Sequence, residues 1–103
     1  MSTKITVIYD NPLDPAEFER VYAKDQVGLA RSLPGVLRVE SAKVWPKEDG
    51  SPTPAYRLLD LYFADYDAAG EAVSSPAAAA LFPSVFELAT GGVRIVFANI
   101  EES

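Results

Sequence analysis

The sequence contains no cysteine and no histidine, and it has one tryptophan and one methionine in 103 residues. Without cysteine there is no thiolate nucleophile, disulfide, zinc finger or iron–sulfur cluster. Without histidine there is no imidazole base, no serine–histidine pair and no proximal haem ligand. Any catalysis by this chain must therefore use carboxylate, phenol, amine, amide or hydroxyl groups.

Positive charge is scarce as well. The chain has 9 Lys and Arg residues against 15 Asp and Glu residues, a formal net charge of −6, and its basic residues form no cluster. A field of this sign repels phosphate backbones and anionic lipid surfaces. We therefore expect neither a nucleic-acid partner nor a membrane partner.

Long apolar runs and metal-ligand patterns are also missing. No stretch approaches the roughly 18 uninterrupted apolar residues of a membrane span. Residues 1–10 lack the basic start, apolar run and cleavage site of a signal peptide. No predicted element carries a pair of carboxylates at metal-ligand spacing. The sequence predicts a cytoplasmic protein without a metal or a cofactor.

The first half of the chain reads as a strand followed by a long helix. The composition, 49% hydrophobic, and the length fit one compact domain over residues 1–103. Residues 4–9 are β-branched and aromatic, and Asp10-Asn11-Pro12 ends that strand. Asp14 as N-cap and Pro15 at the first position begin a helix that should run to about Leu33.

The second half contains three more extended runs and short helices. Strands are expected over 36–45, 56–64 and 93–100, and helices over 67–74 and 76–81. Pro83 should kink or interrupt the chain and leave a further turn over 84–89. The connection Pro46–Pro54, with three prolines and a glycine, predicts a solvated, mobile hairpin loop, with a binding loop or lid as the alternative.

The order strand, helix, strand, strand, helix, strand predicts an α+β fold of the ferredoxin-like βαββαβ type. In that fold a four-stranded antiparallel sheet carries all its helices on one face. The other face of the sheet is then left uncovered and must meet water or a second copy of the chain.

Alternation along the strands sorts side chains between these two faces. The face expected beneath the helices carries Ile5, Val7, Tyr9, Leu37, Val39, Leu59, Leu61, Phe63, Val93, Ile95 and Phe97. The opposite face mixes the apolar Ile8, Leu58, Tyr62 and Val96 with Thr6, Arg38, Glu40, Asp60 and Arg94. This mixture predicts a homodimer through the sheet face, with Asp60 in a salt bridge near the seam and an acid or base role for it as the alternative.

A candidate binding site lies between the first helix and the sheet. Gln26 falls on the edge of the apolar stripe of that helix, where an amide either bonds inside the domain or lines a cavity. Tyr9 and Tyr22 could supply hydroxyl groups nearby, and Phe82 and Phe86 could wall the cavity. For the aromatic residues the alternative is plain core packing. This lining has hydroxyls and an amide but no cation, so its ligand should be small and uncharged or weakly anionic.

Several of these residues together resemble the EthD family of the dimeric α+β barrel superfamily. The matching segments are Asp14-Pro15-Ala16-Glu17-Phe18, Tyr22, Leu29-Ala30, Leu33-Pro34-Gly35, Tyr56-Arg57, Leu61-Tyr62-Phe63, Ser74-Ser75-Pro76 and Ala89-Thr90-Gly91-Gly92-Val93. The resemblance implies a ferredoxin-like protomer, a homodimer in which two sheets face each other, and a small-molecule cleft between helices and sheet. Relatives include proteins tied to ether degradation, and the wider superfamily contains cofactor-free monooxygenases, polyketide cyclases and lactone isomerases.

The chain departs from this family at one position that matters for chemistry. Family members commonly carry a histidine on the first helix, followed two residues later by proline, where this chain has Gln26 and Gly28. Glutamine can orient a carbonyl group but cannot take a proton near neutral pH. We therefore expect a small-molecule-binding protein; the alternatives are a cofactor-free enzyme, such as an isomerase, cyclase or oxygenase, and a structural homodimer without ligand.

Overall fold

The computed structural model describes residues 1–102, and its fold is the predicted ferredoxin-like one. The elements are β1 Thr3–Tyr9, α1 Pro15–Arg31, β2 Arg38–Lys43, β3 Arg57–Phe63, α2 Tyr66–Val73, α3 Pro76–Leu88 and β4 Val93–Asn99. The strands form one antiparallel sheet in the order β2-β3-β1-β4. The predicted α+β class and order of elements are therefore confirmed.

Local sequence accounts for where α1 and α2 begin. The Asp14 carboxylate accepts a hydrogen bond from the Glu17 backbone N–H, and Pro15 follows at the first helical position. The Asp65 carboxylate caps α2 in the same way, accepting from the Ala68 N–H at 2.8 Å. Each cap satisfies a backbone donor that the helix cannot pair internally.

The expected break at Pro83 is wrong, because α3 continues through that residue. A proline inside a helix leaves the carbonyl four residues earlier without its N–H partner. Pro83 and Ala79 both lie on the exposed side of α3, where water can pair that carbonyl, while Leu81 and Val85 on the other side are fully buried. Packing of the apolar face therefore holds the helix across its proline.

The central strands carry the core, and the edge strands depart from the expected pattern. The helix-facing side chains of β1 and β3, which are Ile5, Val7, Tyr9, Leu59, Leu61 and Phe63, are all fully buried. Leu37 and Phe97, expected beneath the helices, are 69% and 43% exposed. Leu37 precedes the edge strand β2 and Phe97 lies on the edge strand β4, so the helices cover the middle of the sheet and not its margins.

The outer face of the sheet is open in the protomer, and its charges are paired locally. Asp60 accepts a hydrogen bond from the Thr6 hydroxyl and lies 3.8 Å from the Lys4 ammonium. Arg38, which is paired with Tyr62 in the register of β2 against β3, has its Nε 3.5 Å from Glu40 Oε2. Arg94, the other arginine of this face, donates from Nη2 to Asp10 Oδ1 at 2.9 Å, so both arginines have partners other than Asp60 within the protomer.

Three loops meet at the end of the sheet where β1 stops. Asn11, after β1, donates from its side-chain amide to the Thr53 carbonyl at 2.9 Å. The Asp10 N–H donates to the Gly92 carbonyl at 3.0 Å, and the Leu13 N–H donates to the Thr90 hydroxyl at 3.0 Å. Gly91 packs so closely on Asn11 that a methyl group there would overlap the Asn11 carbonyl. The loops before α1, before β3 and before β4 are thus joined to one another.

Candidate functional site

Three of the predicted site residues lie together beneath α1. Tyr9 ends β1 and points toward the helices, while Tyr22 and Gln26 are one turn apart on the buried side of α1. Their exposed fractions are 0% for Tyr9, 6% for Tyr22 and 0% for Gln26. The amphipathic pattern that brings Phe18 and Tyr22 onto the sheet carries Gln26 inward with them.

The polar atoms of this group are unusual because several have no partner. The Tyr9 hydroxyl and both the Nε2 and Oε1 atoms of Gln26 are buried without a hydrogen-bond partner in the protein. Leaving such a group unpaired costs about 1–3 kcal/mol, so buried polar atoms are nearly always satisfied. The interior beneath α1 therefore presents an unused donor and acceptor from one amide and an unused phenol.

Aromatic packing fixes the phenol of Tyr9. Its ring meets Phe18 edge to face, with centroids 5.0 Å apart, and meets Tyr22 edge to face at 6.1 Å. Burial raises the pKa of the Tyr9 phenol above its ordinary value, and the neighbouring Tyr22 raises it further. The phenol is consequently neutral and can donate or accept a hydrogen bond, but it cannot act as a base near neutral pH.

A polar cluster closes the space between α1 and the β2 side of the sheet. The Tyr22 hydroxyl and the Ser41 hydroxyl are hydrogen-bonded at 2.6 Å. The Arg57 guanidinium lies 4.5 Å from the centre of the Tyr22 ring, and its Nη2 donates to Glu19 Oε1 at 2.6 Å. Partial burial acts to lower the pKa of Arg57, but hydrogen bonding to Glu19 and the charge of that carboxylate outweigh it and raise the pKa.

Arg57 lies beside the tyrosines although it was not predicted as a site residue, and the expectation of no cation there is wrong. Arg57 is paired with Tyr9 in the register of β3 against β1, so both side chains lie on the helix-facing side. The signal was present, since Arg57 alternates in phase with Leu59 and Leu61. The charge of Arg57 argued against a position beneath the helices, because a buried cation is rare unless it is paired.

The two phenylalanines lie apart from this group. Phe82 is half-buried and packs against the core from α3. Phe86 is 59% exposed, on the outer side of the same helix. Tyr9 and Tyr22 are therefore in ring contact, Gln26 is buried one turn further along α1, and Phe86 lies at the surface. The part of any of these residues in ligand binding stays a prediction.

Two open grooves lie elsewhere on the surface. One, of about 690 Å³, follows the loop between β2 and β3; the other, of about 270 Å³, separates Phe18 and Val21 of α1 from Leu88 of α3. Tyr9, Tyr22 and Gln26 line neither groove. A ligand can reach the buried amide only if neighbouring side chains move.

Within residues 1–102, no three acidic side chains come together in a way that could hold a metal ion. No helix in that range has the length and apolar character needed to cross a membrane.

Comparison with known proteins finds no matching family model. It does find a curated relative from Rhodococcus erythropolis, an uncharacterized 11.0 kDa protein in the thcB-thcC intergenic region. The two chains are 36% identical over 98 residues, covering 95% of this chain and 94% of the relative. This chain belongs to the family of that Rhodococcus protein. Within this family, the near-complete coverage of both chains means that the whole fold is shared.

Solved structures place the same family in a wider fold group. An EthD family protein from Bacillus halodurans superposes with a TM-score of 0.88 at 18% identity, covering 97% of this chain and 99% of that one. A protein from Jannaschia described as dimeric and ferredoxin-like gives a TM-score of 0.70 at 16% identity, covering 97% and 100%. The cofactor-independent oxygenase SnoaB from Streptomyces nogalater gives 0.64 at 18%, covering 99% and 94%. The resemblance to the EthD family is confirmed, and at these identities the likeness establishes the fold.

Proposed function

We propose that this protein is a homodimeric small-molecule-binding protein of EthD type, with its ligand site beneath α1 at Tyr9, Tyr22 and Gln26. The observation that supports this proposal is the buried amide of Gln26, of which neither polar atom has a partner in the protein. A group left unpaired in this way is retained against a cost in stability, which is characteristic of residues kept for binding.

The chemistry of the site defines the ligand class. An amide offers one donor side and one acceptor side, and a neutral phenol can complete either role. The charge of Arg57 is already balanced by Glu19, at 2.6 Å. The ligand should therefore be small and uncharged or weakly anionic, with an apolar body and a carbonyl, amide or hydroxyl head.

The homodimer is proposed through the outer face of the sheet. That face carries the half-buried Ile8, Leu58 and Tyr62 and the 45% exposed Val96 next to locally paired charges. A second sheet would remove this apolar surface from water without stranding a charge. The Jannaschia protein of the same fold is described as dimeric, which supports a homodimer.

The binding proposal can be tested through Gln26 itself, because it is the only glutamine in the sequence. Its side-chain NH₂ gives one pair of signals in a ¹H–¹⁵N correlation spectrum. Titration with neutral aromatic compounds, for example benzamide, acetophenone and phenol, should shift these signals, and calorimetry should show that Gln26→Leu no longer binds the compounds.

The matched control is Asp25→Asn, which changes an exposed neighbour on the same helix. It should bind the probes as the parent does. If no member of a broad panel of such compounds moves the Gln26 signals while the protein remains dimeric, the proposal fails and a purely structural homodimer is the better account.

A cofactor-free enzyme is the second candidate, and the likeness to a cofactor-independent oxygenase favours it. Neither Gln26 nor the neutral Tyr9 can act as a base, so the substrate itself would have to supply the reactivity, as an enol or enolate does. Gln26 and Tyr22 would then only position it. Turnover that is unchanged in Gln26→Ala and Tyr22→Phe would argue against that positioning role.

A further inference from the structure

The larger of the two grooves is not lined by Gln26 and is therefore separate from the buried amide. It runs along the loop between β2 and β3, and we call it the loop groove. Its lining consists of Asn11, residues 43–47, residues 50–53 and Tyr56. Its volume, about 690 Å³, is within the range of about 300–1,000 Å³ of small-molecule sites.

Hydrogen bonds connect the second half of the loop that forms this groove to the rest of the protein. The Tyr56 N–H donates to the Tyr9 carbonyl at 2.7 Å, and Arg94 Nη2 donates to the Pro54 carbonyl at 3.0 Å. Asn11 holds Thr53 from the opposite side. The second half of the loop is therefore a fixed wall, which a binding site needs.

The lining combines aromatic rings with positive charge. Trp45 is 88% exposed, although tryptophan side chains are on average highly buried. Lys43 lies over the ring of Tyr56, with its ammonium 5.4 Å from the ring centre, and Lys47 also lines the groove. Among the described residues of the lining there is no carboxylate.

The lining presents two ammonium groups in a chain whose net charge is −6. Glu48 and Asp49 belong to the same loop but do not line the groove, and Asp49 Oδ1 accepts hydrogen bonds from the N–H and hydroxyl of Ser51. The charges that an anion in the groove would contact are therefore those of Lys43 and Lys47. Lys43 also lies 3.8 Å from Glu19, but both groups are partly exposed, and such a pair is weak enough to be exchanged.

We propose that the loop groove is a second binding site, for a small aromatic anion such as an aryl carboxylate. The aromatic ring packs on Trp45, and the carboxylate interacts with Lys43 and Lys47. Tryptophan gains from stacking and from apolar burial at once, while the ammonium groups provide the charge recognition that the interior site lacks.

The experiment uses Trp45 as its reporter, because it is the only tryptophan in the protein. The full chain is titrated with benzoate, benzamide and cyclohexanecarboxylate while tryptophan emission is recorded. Benzoate should change the emission in a saturable way. Benzamide lacks the charge and cyclohexanecarboxylate lacks the aromatic ring, so each should bind several-fold more weakly.

Substitutions then assign the contacts. Lys43→Gln and Lys47→Gln should each weaken benzoate binding by about two- to fivefold, the size of one exposed charge interaction. Lys24→Gln removes an exposed lysine of α1 outside the groove and should leave the affinity unchanged. Trp45→Leu, followed by calorimetry, should weaken binding by about tenfold.

Three results would overturn the proposal. The first is equal binding of benzoate and benzamide. The second is loss of the benzoate signal in Gln26→Leu with no loss in the lysine variants, which would place the ligand in the interior site. The third is a Trp45 emission that is blue-shifted and inaccessible to iodide in the dimer, which would show that a second copy of the chain covers the groove. Failure of the interior site to bind anything leaves the proposal for the loop groove intact.

Discussion

Gln26 places an unpaired amide where burial favours an apolar side chain. Replacing an unpaired buried amide with a hydrocarbon of similar shape removes a desolvation penalty and adds apolar contacts. We therefore expect Gln26→Leu to raise the free energy of unfolding by about 1–2 kcal/mol, measured by urea denaturation of the ligand-free protein.

The exposed neighbour again provides the comparison. Asp25→Asn should change the unfolding free energy by less than about 0.5 kcal/mol, as surface substitutions usually do. A loss of stability above about 1 kcal/mol in Gln26→Leu would mean that the amide has a structural partner in solution. In that case the unpaired atoms would no longer argue for a ligand.

The residues of the site also mark what sequence reasoning can reach. Helical spacing was enough to place Tyr22 on the inner side of α1 and Gln26 on the edge of its apolar stripe, because that spacing is a local property; the structure buries Gln26 fully. The spacing could not reveal that Arg57 meets Tyr22, because this contact depends on the register of β3 against β1 and on the position of α1 above both. A charged residue in a strand is read as exposed until its partner, here Glu19, is known.

Among the helices, α3 contains a proline inside its length, and this proline costs free energy of folding. Pro83 removes one internal hydrogen bond from the middle of α3, and proline there is about 3 kcal/mol less favourable than alanine. Pro83→Ala should stabilise the protein by about 1–3 kcal/mol, since part of this cost is already relieved by solvent at the exposed face. Thermal and urea unfolding measure the change.

The same helix contains its own control. Pro76 occupies the beginning of α3, where proline has a favourable backbone angle and the missing N–H has no partner to lose. Pro76→Ala should therefore be neutral or slightly destabilising. If both substitutions stabilise the protein equally, the argument from the interrupted hydrogen bond is wrong.

The elements themselves were predictable, except where packing overruled local preference. Strands and helices followed from periodicity and caps, because each of these signals lies within a few residues. The prediction of a break at Pro83 failed because Leu81 and Val85 gain more from burial than the helix loses at the proline. Leu37 and Phe97 were misplaced because alternation gives the face of a side chain and not the extent of the layer above it.

The proposed sheet-to-sheet homodimer of the whole molecule can be tested by its mass in solution. Val96 lies on the outer face of β4 and is 45% exposed in the protomer, so an aspartate there should be tolerated by the fold but not by a sheet-to-sheet interface. We expect analytical ultracentrifugation to give twice the chain mass of 11.1 kDa for the parent protein and the mass of one chain for Val96→Asp.

Leu13 is the matched control, because it is an exposed apolar residue, at 83%, in the loop before α1. Leu13→Asp should keep the dimer mass. A parent protein that sediments as a monomer at micromolar concentration contradicts the sheet-to-sheet assembly, as does a Val96→Asp variant that remains a dimer with unchanged affinity.

The contacts around Asn11 have a consequence for substitutions at this end of the sheet. The Asn11 side chain donates to the Thr53 carbonyl, the Asn11 carbonyl leaves no space for a side chain at Gly91, and the Asp10 N–H donates to the Gly92 carbonyl. Three connections that are distant along the chain are therefore joined, and an added methyl group at position 91 would strain all of them. Gly91→Ala would therefore also disturb the loop before β3, and with it Thr53 in the wall of the loop groove.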